Sequence, residues 1–366
     1  MREDGTMKKI EKAIADAAED TALNELREAH VRTLRQLEKI KRSEDEYIDA
    51  VYRAARDAAA GMSIKPVPTP KPDTRKGHAE SAILLLADWQ VGKVTPTYSS
   101  EIAAERVRLL TKKVQKLVAI QRADHPVREL HIFLLGDLVE GEDIFPGQAH
   151  LIDAGLYSQI FSTAEMLAGL IRTLAADFEK VHIAGVIGNH GRLGRYGTAR
   201  PESNADAIAY RTAAMLVRDE PRITWKETFT KGERHWCEFV EVLGRRWMLF
   251  HGDQLKASMG FPFYSLNKKL GGWNLSVERF DYAAFGHWHT PARLVAADGR
   301  ITAFASGSIE SSNTYALCGV PHPTRRASPL ESGYAPSGSL PSAARLSSTF
   351  NPSQRPSQGV LYGIGR

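Results

Sequence analysis

The stretch HIFLLGDLVEGED, residues 131–143, decides the fold, because a short apolar run ends there directly in a glycine and an aspartate. The run from His131 to Leu135 has the length and the composition of a buried strand. In open α/β folds, ligands bind beyond the carboxyl ends of the strands. Gly136 and Asp137 therefore predict a turn and a candidate site at the end of this strand.

The same arrangement recurs along the chain. Apolar runs of strand length occupy residues 82–87, 131–135, 181–187, 247–250, 282–285 and 301–305. Two stretches between them, 102–122 and 156–177, have the spacing of apolar residues that is typical of helices. Strands that alternate with helices predict an α/β domain.

Five of the six runs end in residue types that bind metals or transfer protons. Each signal is weak by itself, since GD is a common turn and most HxH pairs are structural. Residues two apart on a strand face the same side, however, so His287 and His289 can serve adjacent metals. Five such clusters in order predict one site, and they read ADWQ (87–90), GD (136–137), GNH (188–190), HGD (251–253) and GHWH (286–289).

The order of these clusters resembles the signature of the calcineurin-like metallophosphoesterases, over residues 81–315. The superfamily resemblance implies a two-sheet β-sandwich flanked by helices. A closer resemblance, to phosphoesterases encoded by phages and prophages, is carried by longer stretches. These stretches are GDLVEGEDIFPGQ (136–148), GNHGR (188–192), HGDQLK (251–256), GFPFY (260–264), GHWHTPA (286–292) and SGSIESSNTYA (306–316).

The resemblance also implies a site for two divalent metal ions with a shared ligand. Asp88, Asp137 and His289 would hold the first ion. Asp137, Asn189, His251 and His287 would hold the second, so that Asp137 bridges the two.

Gln90 stands where the family usually has histidine, two residues after the first aspartate. It is expected either to bind the first metal through its amide oxygen, which is the favoured alternative, or to support another ligand by a hydrogen bond. A site rich in oxygen ligands favours Mn²⁺ or Mg²⁺ over Zn²⁺. The expected cofactors are therefore two divalent ions, with Mn²⁺ first and Mg²⁺, Fe²⁺ or Zn²⁺ as alternatives.

Two further roles are expected next to the metals. The resemblance places His190 beside the substrate phosphate, where it stabilises the transition state or protonates the leaving group. Arg192 and Arg195 follow closely, and arginine forks match phosphate geometry; the alternative is an exposed basic loop. Glu140 and Asp143 are left outside the predicted site.

The predicted reaction is the hydrolysis of phosphoesters by a hydroxide that two metals activate. Phosphodiesters are favoured, including DNA or RNA, because the net charge is +5 and the isoelectric point about 9.1. That balance permits a polyanionic partner without requiring one. The alternatives are a phosphomonoesterase or protein phosphatase and a catalytically silent binding module with the same fold.

The chain is expected to have four parts. Residues 1–61 show a helical spacing of leucines, which predicts a helical extension that associates with itself or with a partner. Residues 62–80 form a proline-rich linker, 81–318 the phosphoesterase domain, and 319–366 a Ser/Pro/Arg-rich, mostly disordered tail. Two cysteines and no apolar run of bilayer length predict a cytoplasmic protein, in the host cytoplasm if a phage encodes it, with no membrane partner.

Overall fold

A computed structural model describes residues 66–145, 147–193, 203–226, 236–256 and 261–311, together with Glu46, Ala50 and Arg53. The chain divides into two units, Met1–Ala54 and Ala55–Arg366. In the first unit, the three isolated residues are helical and exposed. The rest of the predicted N-terminal extension and the predicted tail lie outside the described residues, and the domain limits remain predictions.

The first sheet of the second unit is parallel throughout. Its order is β1 (Glu80–Leu86), β2 (Val127–Leu134), β3 (Lys180–Gly185) and β4 (Ile223–Trp225). Leu86 pairs with Leu134, which pairs with Gly185, so the carboxyl ends of three strands lie level. This alignment brings the loops that follow β1, β2 and β3 to one edge of the sheet.

Three helices connect these strands, namely α1 (Ser100–Gln121), α2 (Leu156–Ala175) and α3 (Ala205–Leu216). Alternate residues of β1 face opposite sides, as the strand period of two requires. Leu84 packs in the cluster that the helices cover, and Leu85 packs in a second cluster with Trp247 and Phe304 of the other sheet. β1 is therefore buried on both faces, which explains its continuous apolar run.

The second sheet is mixed. Its order is β5 (Cys237–Val242), β6 (Arg245–Phe250), β7 (Tyr282–Phe285), β9 (Ile301–Ala305) and β8 (Ala292–Ala296). Helix α4 (Phe263–Ser276) buries Leu266 and Leu270 against its outer face, next to Phe250 and Phe285. Two sheets packed face to face, with helices outside, confirm the predicted fold class.

All six predicted runs are strands, and both predicted helical stretches are helices. β4, β5 and β8 lie outside the six predicted runs. β4 has only three residues, and β8 alternates partly exposed and exposed positions, so neither has a continuous apolar run. Helices α3 and α4 were also missed, since their short apolar stripes follow segments rich in glycine, proline and polar residues.

The described part of the predicted linker lies against the first sheet. The Asp73 backbone N–H donates to Glu179 over 2.9 Å, and the Arg128 Nε donates to the Asp73 carbonyl over 3.1 Å. Val67 packs against the core that the helices cover. Within the described residues, no helix is both long enough and apolar enough to cross a membrane.

Candidate metal centre

We call the carboxyl-terminal edge of β1, β2 and β3, with the ends of β6, β7 and β9, the rim. At the rim the backbone leaves the strands in the left-handed region, which is uncommon for residues other than glycine. Such conformations cost free energy and persist where the surrounding structure holds them. Most of the predicted metal ligands share this feature, with φ of 54° at Asp88, 48° at Gln90, 54° at Asp137, 69° at His287 and 55° at His289.

One glycine of the GNH cluster is required by close approach. A Cβ on Gly188 would lie 2.1 Å from Oδ1 of Asp137 and 2.4 Å from its backbone nitrogen. Only a residue without a side chain lets the end of β3 approach the Asp137 carboxylate. This explains why glycine precedes Asn189 in the sequence.

The predicted ligands of the second metal lie together. Nε2 of His251 is 2.9 Å from Oδ2 of Asp137, 3.1 Å from Oδ1 of Asn189 and 3.2 Å from Nδ1 of His287. Asp137 and His251 are fully buried. The four side chains come from four different strand ends and direct their donor atoms at one small volume, as a metal site requires.

The predicted ligands of the first metal lie beside this group. Nε2 of His289 is 3.6 Å from Oδ1 of Asp88, and both carboxylate oxygens of Asp88 accept from the backbone N–H of His287. The amide oxygen of Gln90 accepts a hydrogen bond from Nζ of Lys93 over 2.7 Å. A carbonyl oxygen has two lone pairs, so this contact leaves the ligand role of Gln90 a prediction.

Burial and charge act against each other at these groups. Burial raises the pKa of Asp88, and the pKa stays at about 6 against the opposing charges of His289 and His251. Burial alone would lower the pKa of His251, but the adjacent Asp137 carboxylate raises it to about 10. Burial and the neighbouring His251 lower the pKa of His287 to about 3. Carboxylates and imidazoles thus share protons in a buried space where cations would balance the charge.

His190 lies next to this group, as expected. Its backbone N–H donates to Oδ1 of Asp137 over 2.7 Å, and its Nδ1 lies 3.1 Å from the Glu140 carbonyl and 3.2 Å from Oε2 of Glu140. Burial opposes protonation of His190, but Asp137 and Glu140 raise its pKa to about 9. Glu140, which the sequence interpretation left out, therefore orients the imidazole of His190.

Asp206 is the largest omission of the sequence interpretation. This buried carboxylate lies at the start of α3 and accepts four backbone N–H groups. Its Oδ2 accepts from Asp137 and Gly188, both over 2.9 Å, and its Oδ1 from Leu138 over 3.0 Å and Val139 over 3.2 Å. Asp206 therefore fixes the backbone that carries Asp137 and Asn189.

A sequence signal for Asp206 existed. Asn204 is the N-cap of α3 and accepts from the Asp206 backbone N–H over 2.8 Å. Asparagine followed by an acid in the first turn marks the start of a helix. The signal would have located the helix, but it does not reveal that the acid faces a loop nearly 70 residues earlier in the sequence.

The sixth apolar run, β9, also leads into the site. Oε1 of Glu310 lies 3.1 Å from Nδ1 of His289, and Oε2 lies 2.7 Å from Nζ of Lys93. The Ser308 hydroxyl donates to the Asp88 carbonyl over 2.6 Å. Glu310 holds Nδ1 of His289 and leaves Nε2 to face Asp88, as carboxylates often do for metal-binding histidines.

Of the two arginines predicted to bind the substrate, the structure describes Arg192. Arg192 donates to the Asn189 carbonyl over 3.2 Å and to the Ile144 carbonyl over 3.1 Å, so its guanidinium braces the loop after β3. Arg195 lies outside the described residues.

Trp89 is buried in the helix-covered core, and Trp288 packs against the cluster of the second sheet.

No family model matches this chain, and no curated protein matches it. Solved structures resemble it in part, among them the following three. A predicted phosphoesterase from Streptococcus pneumoniae is 12% identical (41% of this chain, 68% of that chain, TM-score 0.23). A Vps29 mutant from Entamoeba histolytica is 14% identical (63% and 76%, 0.27), and a yellow lupin purple acid phosphatase 11% (60% and 31%, 0.28). Similarities this low carry no argument about function.

Proposed function

We propose that this protein is a calcineurin-like metallophosphoesterase that hydrolyses phosphodiesters with two divalent metal ions. The supporting observation is that predicted ligands from five separate strand ends meet at the rim. The contacts of His251 with Asp137, Asn189 and His287 are its densest part. A structural ion pair would need one carboxylate and one imidazole, whereas this site collects two aspartates, three histidines and an amide in a buried space.

The donor set fits two cations. Asp137, Asn189, His251 and His287 would hold one, and Asp88 and His289, with Gln90, the other. Two bound cations would supply Lewis acidity and lower the pKa of a water for attack on phosphorus. Oxygen donors prevail on the Asp88 side, which supports Mn²⁺ there.

His190 is proposed as the proton donor to the leaving group. Its Nδ1 is held by Glu140, so Nε2 is left to meet a substrate oxygen. Burial disfavours its protonated form, whereas the neighbouring Asp137 and Glu140 favour that form and raise its pKa to about 9. A positioned cationic acid near a departing oxygen contributes typically 10²–10⁴-fold to the rate.

The preference for diesters is supported by charge. The chain carries a net charge of +5, and Arg192 and Arg195 follow the GNH cluster directly. Arg192 is committed to main-chain carbonyls, which makes Arg195 the better candidate for contact with a second phosphate. A nucleic acid, which offers a phosphate at every nucleotide, is the proposed substrate class to test after small diesters.

The test compares Mn²⁺-dependent hydrolysis of bis(p-nitrophenyl) phosphate and p-nitrophenyl phosphate by the wild type and Asp137→Asn. Cations at such a site supply several kcal/mol of transition-state stabilisation, so the variant should lose activity on the order of 10³-fold. The matched control is Asp143→Asn, an exposed aspartate six residues away, which should keep wild-type activity.

Each outcome has a definite meaning. Faster cleavage of the diester, abolished by EDTA, supports the proposal. Faster cleavage of the monoester would replace the diesterase by a phosphatase. Bound metal without cleavage of either compound would favour the binding module, which the glutamine at position 90 would then help to explain.

A further inference from the structure

A second group of metal-binding residue types lies at the other end of the first sheet. It consists of Glu129 and His131 on β2 and His182 on β3. The sheet register pairs His131 with His182, and Glu129 lies two residues before His131, so all three side chains share one face. His131 precedes Asp137 by six residues, about 20 Å along an extended strand, so this group is separate from the rim.

The donor atoms of this group converge. Oε2 of Glu129 lies 3.9 Å from Nε2 of His131 and 4.0 Å from Nε2 of His182. The two imidazoles stack with their centroids 4.8 Å apart. Zinc at about 2.1 Å from each ligand would hold tetrahedral donors about 3.4 Å apart. Small side-chain rotations would therefore suffice to enclose an ion.

One of these nitrogens is buried without a partner. The His131 side chain is only 9% exposed, and its Nε2 makes no hydrogen bond to any described residue. Its nearest aromatic neighbours are the rings of His182 and Phe133. Buried polar atoms are normally satisfied, so an orphaned nitrogen aimed at a carboxylate and a second imidazole indicates a missing partner.

The charge state suits a cation. Burial and the nearby His182 lower the pKa of His131 to about 3, and burial also lowers the pKa of His182. Both rings are therefore neutral at pH 7 and keep the lone pair that a metal requires. Among the described residues, Lys180 forms an ion pair with the group, with Nζ 3.5 Å from Oε1 of Glu129 and a side chain 62% exposed.

We propose that Glu129, His131 and His182 bind a divalent transition metal ion, with Zn²⁺ preferred, at a site distinct from the rim. Two imidazoles and one carboxylate form a zinc-type ligand set. The side chains of His182 and Glu129 are 33% and 35% exposed, which gives an ion a route from solvent. The bound ion would cross-link β2 and β3. This site does not depend on the proposed hydrolase activity.

The test is equilibrium dialysis against Zn²⁺ followed by elemental analysis of the full chain, with no activity assay. His182→Ala and Glu129→Gln should each bind one equivalent less than the wild type at a Zn²⁺ concentration that saturates the wild type. Lys180→Gln is the matched control on the same face. It should keep that equivalent and bind it more tightly, since it removes the cation that competes for Glu129.

Equal zinc content in the wild type and in both variants would overturn the proposal and leave the histidines as a stacked pair that fills space. The measured quantity is the difference in zinc content between the wild type and each variant, so it does not depend on how many ions the rim binds. Circular dichroism checks the fold of each variant. Should His182→Ala fail to fold, the milder Glu129→Gln decides.

Discussion

The two ends of β2 carry the same residue types in different surroundings. At the carboxyl end, Asp137 accepts from the backbone N–H of His190 and contacts His251, and its own backbone N–H donates to Asp206. At the amino end, Glu129, His131 and His182 approach one another, but one buried nitrogen has no hydrogen bond within the described residues. The difference lies in the supporting contacts and not in the residue types.

The comparison shows that side chains can lie close together without being held in a fixed geometry. Asp206 and Glu310 support the rim, and left-handed backbone at Asp88 and Asp137 directs carboxylates that a regular strand would place elsewhere. Supporting residues of this kind are needed to hold reacting groups in a productive geometry. Within the described part of the chain, the supporting contact of Glu129, His131 and His182 is the exposed Lys180, so we expect this group to bind an ion without catalysing a reaction.

The strongest test of this comparison removes the support of the rim. Asp206→Asn keeps the size of the side chain but turns an acceptor of four N–H groups into one whose amide group opposes them. We expect a loss of about 2–4 kcal/mol in the free energy of unfolding, because buried donors lose their charged acceptor. We also expect activity to fall on the order of 100-fold as Asp137 shifts. Urea unfolding and kcat measure the two effects.

Asp124→Asn, an exposed aspartate after α1, is the matched control and should change neither quantity. A wild-type rate in Asp206→Asn would break the comparison, since the rim would then not depend on its support.

The second test concerns a single ligand. Glu310→Gln keeps a hydrogen-bond acceptor near Nδ1 of His289 but removes its charge. Loss of such a partner typically costs 10–100-fold in metal affinity or activity. We expect Mn²⁺ titration to show weaker binding of one ion only, with a smaller loss of stability than for Asp206→Asn.

Glu105→Gln, exposed on α1, is the control for that titration. An equal weakening of both ions in Glu310→Gln would show that Glu310 acts on the whole rim and not through His289.

The smallest expected effect concerns the protonation of His131, at the amino end of β2. With EDTA present, His131 is neutral in the folded protein, where its pKa is about 3, and titrates near 6.5 when unfolded. The unfolded state therefore binds the extra proton below pH 6.5. The stability that neutral His131 contributes is present above pH 6.5 and is lost as the pH falls toward 3.

His131→Phe removes this titration and keeps an aromatic ring stacked on His182. As the pH is lowered from 6.5 to 5, the free energy of unfolding of the wild type should decrease relative to that of the variant. The slope should approach about 1.4 kcal/mol per pH unit. Denaturant unfolding at several pH values measures it. Parallel pH profiles for the two proteins would mean that His131 is solvated and not buried.

The sequence was most informative where a strand is buried on both faces, because such a strand is a continuous apolar run. β1 and the carboxyl-terminal ends of β2 and β3 are buried on both faces, so their positions followed from the apolar runs, and the clusters after them followed from where the runs end. β4 and β8 are short and partly exposed, and they have no such run. The predicted roles of the ligands, the metals and the substrate stay predictions.

The supporting residues could not be predicted, because their partners are remote in sequence. Glu310 meets Lys93, and Asp206 meets the backbone at Asp137, across gaps that no local pattern spans. Glu129, His131 and His182 went unnoticed for the same reason, since only the parallel register makes His131 and His182 neighbours.

By itself the sequence determined the α/β alternation, the order of the clusters and the residue types that a metal site needs, because these depend on local periodicity and on positions at strand ends. Only the tertiary structure decided which of these side chains meet and which are held in place. That outcome depends on strand register and on buried hydrogen bonds between distant segments, whose energies act between residues that the chain itself keeps far apart.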